Sequence, residues 1–313
     1  MSRSQDVDLS VQICGIDLRN PIIAASGTFG YGVEFEDIVS LQRIGGFVTK
    51  GISREPMAGN RPPRLMETAS GMMNAIGLQN LGVEAFIQEK LPSIRKLPCV
   101  AIVNVFGYTV PEYCSVIQTL NEAEGIAAYE LNASCPNTHT GGMVFGTNPG
   151  LLSELVANAK SVSRRPLIVK LSPNVTSIAE MARAAAEAGA DAISLVNTFV
   201  SLSIDATERR PRLSNVTGGL SGPAIKPIAL RMVWEAARAV SIPVIGMGGI
   251  TTAEDVVEFL LAGATAVQVG TASYADPRAV ERIARSLRRW CIANNVRKIS
   301  ELTGALKTES NLS

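Results

Sequence analysis

The stretch PLIVKLSPNVTSIAEMARAAAEAGADAISLVNT, residues 166–198, decides the fold. PLIVKL (166–171) is a short apolar run bounded by turn residues, the pattern of a strand buried on both faces. SIAEMARAAAEAG (177–189) is a helical pattern that opens on a capping serine and closes on glycine. AISLVN (192–197) is a second buried strand. Strand, amphipathic helix and strand in succession imply a parallel βαβ unit.

The same unit recurs in both directions along the chain. Apolar runs stand at PIIAAS (21–26), GFVTK (46–50), CVAIVNV (99–105), IAAYELN (126–132), PVIGMGG (243–249) and AVQVGT (266–271), which makes eight with the two above. Between them lie helical patterns such as EFEDIVSLQR, VEAFIQEKLPSIRK, PEYCSVIQTLNEA, PGLLSELVANAKSV, PAIKPIALRMVWEAARAV, TAEDVVEFLLAG and DPRAVERIARSLRRWCIANN. Eight strands alternating with helices predict an α/β fold, a closed (β/α)8 TIM barrel spanning residues 1–313 as one domain. An open doubly wound sheet is the alternative, but no G-x-G-x-x-G follows a strand, and GTFGYG and GMGGIT have the wrong spacing. LSVQICGIDLRN, ahead of the first barrel strand, alternates like a short β-hairpin and is expected to cap the bottom of the barrel. The loops 51–81 and 198–221 are long enough to suggest function.

Composition narrows the class. A chain of 313 residues with 46% hydrophobic and 18% charged residues is a packed globular protein, and a net charge of +1 gives no reason to expect nucleic acid or an anionic membrane as partner. No apolar stretch reaches the length of a membrane span, and MSRSQDVDLS lacks a signal-peptide core, so a cytoplasmic location is expected. Cys14, Cys99, Cys114, Cys135 and Cys291 are scattered and odd in number, which supplies neither a disulfide framework nor a zinc or iron–sulfur site.

In such a barrel the active site forms at the C-terminal ends of the strands. Those ends read Ser26-Gly27, Lys50-Gly51, Asn104, Asn132, Lys170, Asn197-Thr198, Gly248-Gly249 and Gly270-Thr271. Strand ends emerging into solvent would explain any one of them. Two lysines and three asparagines at five of eight ends describe a site, since asparagine disfavours strands and a buried amide must find partners. Asparagine offers a donor and an acceptor together, which suits a planar ring with alternating N–H and C=O groups. The lysines can meet a carboxylate or the electron-rich edge of such a ring. The glycines of GMGGITTAED and VGTASYADP bring bare N–H groups to helix N-termini after the last two strands, a phosphate-binding arrangement. Cys135 lies three residues past Asn132, over the mouth of the barrel. The sole histidine, His139, reads as an ordinary loop residue, and a thiolate can act directly as a general base toward a carbon-bound proton.

NAIGLQN (74–80), NASCPN (132–137), VKLSPN (169–174), LVNT (195–198), GGLSGPAIKP (218–227) and MGGI (247–250) resemble, in order, the class 1 dihydroorotate dehydrogenases. Leu81, where the family pattern has proline, is the one departure. The resemblance implies a barrel that binds one FMN and oxidises dihydroorotate to orotate in pyrimidine biosynthesis. It casts Cys135 as the base for the C5 proton while the C6 hydride passes to the flavin. Lys50, Asn74, Asn132, Asn197 and Thr198 would hold the substrate, with Ala75, Ile76, Gly77 and Leu78 forming a wall. Ser26, Lys50, Gly51, Asn104, Asn132, Lys170, Val196, Gly222, Gly248, Gly249, Gly270 and Thr271 would surround FMN. No metal is implied on this chain.

Within class 1, GMMNAIGLQN and SGTFGYG look like the 1B catalytic subunit. That implies a homodimer joined by a second subunit carrying FAD and a 2Fe–2S cluster, a heterotetramer that passes electrons to NAD⁺. The alternatives are a class 1A homodimer using fumarate, a related flavin barrel acting on dihydropyrimidines without the carboxylate, and a non-redox phosphosugar isomerase or lyase.

Overall fold

The computed structural model describes residues 7–133 and 142–308. Its strands in chain order are β1 Val11–Ile13, β2 Ile16–Leu18, β3 Ile22–Ala24, β4 Gly46–Val48, β5 Leu65–Thr68, β6 Gly71–Asn74, β7 Val100–Val105 and β8 Ala128–Leu131. They continue with β9 Leu167–Lys170, β10 Ala192–Leu195, β11 Phe199–Leu202, β12 Ile204–Asp205, β13 Arg210–Pro211, β14 Thr217–Ser221, β15 Val244–Met247 and β16 Ala266–Val269. β3, β4, β7, β8, β9, β10, β15 and β16 close into a barrel, every neighbouring pair parallel. These are the eight runs expected from sequence, and the (β/α)8 fold is thereby established. Buried on both faces by side chains inside and helices outside, the strands carry unbroken apolar runs such as Ile22-Ile23-Ala24 and Leu167-Ile168-Val169. Each fully buried aliphatic or aromatic side chain contributes about 1.5–3 kcal/mol.

The crossover helices start where local chemistry dictates. Ser177 Oγ accepts from Glu180 N at 3.3 Å, Asn148 Oδ1 from Leu151 N at 3.0 Å, and Thr109 Oγ1 from Glu112 N at 3.4 Å. Each bond satisfies a donor that the first helical turn leaves unpaired. The hairpin β1–β2 sits at the bottom, where Ile13 and Leu18 are buried and Cys14 Sγ donates to the Asp191 carbonyl at 3.2 Å, just before β10 begins. Among the described residues no helix is long and apolar enough to cross a membrane.

Two expectations are corrected. EFEDIVSLQR forms only single turns at Val33–Phe35 and Leu41–Arg43. Specific contacts replace the helical ladder there: the Phe35 ring stacks on Phe29 at 4.0 Å, and Glu34 accepts from Tyr31 N at 2.9 Å and from Lys90 Nζ at 3.2 Å. The second correction concerns the long loops, which hold strands of their own. β11, β14, β6 and β5 form a four-stranded antiparallel sheet from both loops, and β12–β13 a small ribbon.

Candidate active site

A cleft with about 1190 Å³ of space free of protein atoms, part of it open to solvent, lies at the C-terminal mouth of the barrel. Every barrel strand except β7 supplies a lining residue. Ser26 follows β3, Lys50 and Gly51 follow β4, Asn132 follows β8, and Lys170 ends β9. Val196, Asn197 and Thr198 follow β10, Gly248 and Gly249 follow β15, and Gly270 and Thr271 follow β16. Asn74, Ile76, Gly77, Leu78 and Gly222 come from the antiparallel sheet and the segments beyond it. Sequence reasoning did not single out Met72, Ser221, Met247, Gln268 or Tyr274, which also line the cleft. Two expected residues stand elsewhere. Ala75 is fully buried in a small separate cluster with Met73 and Leu213, and Asn104 is fully buried behind Asn132. Cys135 and His139 lie outside the described residues.

Beneath the floor sits a charged residue that sequence reasoning passed over. Glu130, in the middle of β8, is wholly shielded from solvent. Its Oε1 accepts from Asn104 Nδ2 at 2.8 Å and lies 3.8 Å from Lys170 Nζ. Its Oε2 accepts from Ser194 Oγ at 3.0 Å and Gln268 Nε2 at 2.5 Å. A buried carboxylate is tolerable only when it is hydrogen-bonded and charge-matched in this way. Asn132 Nδ2 in turn donates to Asn104 Oδ1 at 3.3 Å, and Tyr113 Oη to the Asn132 carbonyl at 2.9 Å. The available signal was a lone acid inside the otherwise apolar run IAAYEL.

The wall depends on one glycine. β6 and β14 pair Asn74 with Gly219, and Asn74 Nδ2 reaches the Gly219 carbonyl at 3.5 Å. A Cβ on Gly219 would fall 1.9 Å from Thr198 Oγ1, so only glycine lets the Asn74 strand and Thr198 approach together. Asn174 clamps the other side of this segment. Its Nδ2 donates to the Thr198 carbonyl at 3.1 Å, and its Oδ1 accepts from Val200 N at 3.0 Å.

Electrostatics separate the cleft groups from the rest. Burial, with a smaller contribution from Arg64, pulls the Lys50 pKa below its ordinary value, and Glu34 opposes the shift. The four cysteines described are free thiols. Burial pushes Cys14 up to about 11 and Cys99 to about 12, and it raises Cys114 and Cys291 as well. None of these four is a thiolate near neutral pH. Leu81, the departure from the family pattern, donates its N–H to Tyr31 Oη at 3.4 Å, a bond proline could not make.

The anion cradle differs in detail from the expectation. The helix at Ala253–Leu261 uses its N-terminus for its own capping box: Thr252 Oγ1 accepts from Asp255 N at 3.1 Å, and Asp255 Oδ2 from Thr252 N at 2.9 Å. What the cleft offers instead is bare backbone one turn earlier. Gly248 and Gly249 have φ of 130° and 79°, and a Cβ on Gly249 would lie 2.9 Å from the Gly222 carbonyl oxygen. Among the described residues no three His, Cys, Asp or Glu side chains gather to hold a metal.

The mouth of this (β/α)8 barrel gathers two lysines, several amides and a glycine-lined turn, a set of groups able to bind a planar, anionic ligand. The sequence model of the family described as dihydroorotate dehydrogenase matches residues 8–290, and the chain belongs to that family. A Solibacter usitatus protein under the provisional name dihydroorotate dehydrogenase A (fumarate) is 59% identical over 299 residues, 96% of this chain and 98% of its own. The protein of Pelobacter propionicus named dihydroorotate dehydrogenase B (NAD(+)), catalytic subunit, is 55% identical over 300 residues, 96% of this chain and 99% of its own. A crystal structure of the Eimeria tenella enzyme DHODH in complex with ferulenol matches with a TM-score of 0.82 at 22% identity, over 97% of this chain and 90% of that one, and shows the shared fold.

Proposed function

We propose that this chain is the catalytic subunit of an NAD⁺-linked dihydroorotate dehydrogenase, oxidising (S)-dihydroorotate to orotate in the cytoplasm for pyrimidine synthesis. The convergence of Lys50, Asn74, Asn132, Asn197 and Thr198 on one cleft carries the reading. The chemistry requires a ring held flat, its carboxylate neutralised, one C–H proton removed from C5 and a hydride removed from C6. Lys50 supplies the positive charge for the carboxylate, and the asparagine amides match the alternating ring N–H and C=O groups. Ile76, Gly77 and Leu78 close one side, and Cys135 takes the C5 proton.

The lining fits FMN. Gln268 carries a buried amide oxygen with no protein partner among the described residues, and the Gly248–Gly249 backbone is bare where a phosphate would lie. Bound FMN supplies the hydride acceptor. Ser26, Gly51, Lys170, Val196, Gly222, Gly248, Gly249, Gly270 and Thr271, which line the cleft, would hold it, and the Lys170 ammonium would stabilise negative charge that develops on the ring. Asn104 acts from behind, by holding Asn132.

The protein should therefore purify yellow and bleach anaerobically with dihydroorotate but not with dihydrouracil. Bleaching by both would favour a carboxylate-independent dihydropyrimidine enzyme. A colourless protein that FMN cannot reconstitute would sink the flavin reading and leave the isomerase alternative.

The Lys50 shift has a sign that can be tested. The charged amine binds the carboxylate, so orotate affinity is full below the lowered pKa of Lys50 and declines as pH rises through it, sooner than for an ordinary lysine. Lys50→Met should weaken orotate and abolish this alkaline limb. An unchanged limb in that variant would assign the titration to another group.

Electron disposal supports a partner. Several relatives at 54–56% identity are named catalytic subunit of the NAD(+) form. On this reading a homodimer of the chain binds two copies of a subunit carrying FAD and a 2Fe–2S cluster. The Solibacter name favours the fumarate form instead.

A further inference from the structure

Among the described residues two buried side-chain atoms lack a hydrogen-bond partner, Ser273 Oγ and Gln268 Oε1, and only Gln268 lines the cleft. It ends one hydrogen-bonded chain at the cleft floor, is 1% exposed, and has an Oε1 without a hydrogen-bond partner among the described residues. A buried acceptor left unpaired costs free energy, so its persistence calls for a donor that arrives with a ligand. Its amide cannot turn round to escape the problem. Asn104 Nδ2, Ser194 Oγ and Lys170 Nζ all turn toward the Glu130 carboxyl, which makes its oxygens acceptors, and Oε2 sits 2.5 Å from Gln268 Nε2. Reversing the amide would set Oε1 against Oε2, oxygen on oxygen.

The same logic runs through the other oxygen of Glu130. Its Oε1 takes Asn104 Nδ2, which turns Asn104 Oδ1 outward to receive Asn132 Nδ2 at 3.3 Å. One carboxylate thus fixes the orientation of three amides, two of which line the cleft. It also lies 3.8 Å from the Lys170 ammonium, which keeps that cation at the floor rather than extended into the opening. Glu130 does not itself line the cleft and acts on it only through these partners.

Resting on the function proposed above, we infer that Glu130 is a positioning residue that sets the hydrogen-bonding polarity of the cleft floor, turning the Gln268 carboxamide oxygen into an obligatory acceptor for a ring N–H of the bound heterocycle. Both the flavin and the orotate ring carry such imide or ureide N–H groups, and the shared chemistry is a planar ring N–H donor. A ring presenting only acceptors at this point would leave two oxygens facing each other and be rejected.

The test measures affinity, not turnover. FMN is titrated into flavin-stripped protein and orotate into the reconstituted holoprotein, for wild type, Gln268→Met, Glu130→Gln and the double variant. Gln268→Met keeps the side-chain length and removes the acceptor. It should weaken one ligand roughly 5- to 150-fold, the usual cost of leaving one buried hydrogen-bonding group unpaired. Weakened FMN with unchanged orotate assigns the N–H to the cofactor, and the reverse assigns it to the substrate. Glu130→Gln should weaken the same ligand, because a glutamine at that position can donate and lets the Gln268 amide reverse. In the Gln268→Met background the effect of Glu130→Gln on that ligand should shrink to the part exerted through Asn132 and Lys170, whereas a merely structural role would weaken binding equally in both backgrounds. Equal losses, or variants that bind both ligands as tightly as wild type, overturn the inference. If the double variant does not fold, Glu130→Gln alone decides: unchanged affinity for both ligands sinks the inference. Wild-type protein that binds neither FMN nor orotate would fell the proposed function and this inference together.

Discussion

Cys135→Ser should still bind orotate while its flavin is reduced by dihydroorotate about 10²–10⁴-fold more slowly, the usual cost of losing a positioned general base. Four of the chain's five thiols are unsuited to the role. Cys14, Cys99, Cys114 and Cys291 are held away from the thiolate form by burial. Cys14 lies in the bottom hairpin, and none of the four lines the cleft. Cys135 stands three positions after Asn132, whose side chain does line it. A serine hydroxyl is a far weaker acid than a thiol and supplies almost no anion at neutral pH. The base must be deprotonated to act, so the wild-type reduction rate should rise with pH to a plateau above the thiol pKa. The serine variant should lack that rise. Anaerobic stopped-flow absorbance across a pH series measures both effects. A serine variant that reduces its flavin at near wild-type rate would show that another group is the base.

The second large effect concerns the electron acceptor, where the expected outcome is nearly all or none. Once reduced, the isolated chain should be reoxidised by artificial dyes and hardly at all by NAD⁺. The sequence has no G-x-G-x-x-G after a strand and no cysteine cluster through which electrons could leave. NAD⁺ activity should appear when a subunit carrying FAD and 2Fe–2S is added. The names borne by relatives point both ways, one to fumarate and several to NAD⁺. Stopped-flow reoxidation of the chain alone with NAD⁺ and then fumarate separates the two. Rapid reoxidation by fumarate would move this chain to the self-sufficient form, and rapid reoxidation by NAD⁺ would reveal a nucleotide site of its own.

Most of the candidate site was readable because barrel geometry turns sequence position into spatial position. A polar residue just after a buried strand in a (β/α)8 chain must stand at the mouth. Lys50, Asn132, Lys170 and Asn197 follow that rule and line the cleft. Asn104 breaks it for a physical reason. It is the next-to-last residue of β7, still within the barrel wall, and its amide is spent on Glu130 and Asn132. Ala75 stands in sequence between the cleft-lining Asn74 and Ile76 but turns into the small cluster with Met73 and Leu213, because the alternation of β6 carried one residue further puts it on the Met73 face.

The sequence by itself determined the eight barrel strands, the bottom hairpin, the crossover helices other than the one expected over EFEDIVSLQR, and the family. Each of these is a local signal: an apolar run, a capping serine or threonine, a motif of four to ten residues. Only the tertiary structure decided the second wall and the floor. Asn74 meets Gly219 across 145 positions, between the short, partly buried strands GMMN and TGGLS, whose glycines give them weak propensity of their own. Glu130 meets Gln268 across 138 positions and draws partners from four other strands of the closed barrel. Closure of the barrel creates these contacts, and a buried carboxylate's need for several donors at once selects which strands must supply them.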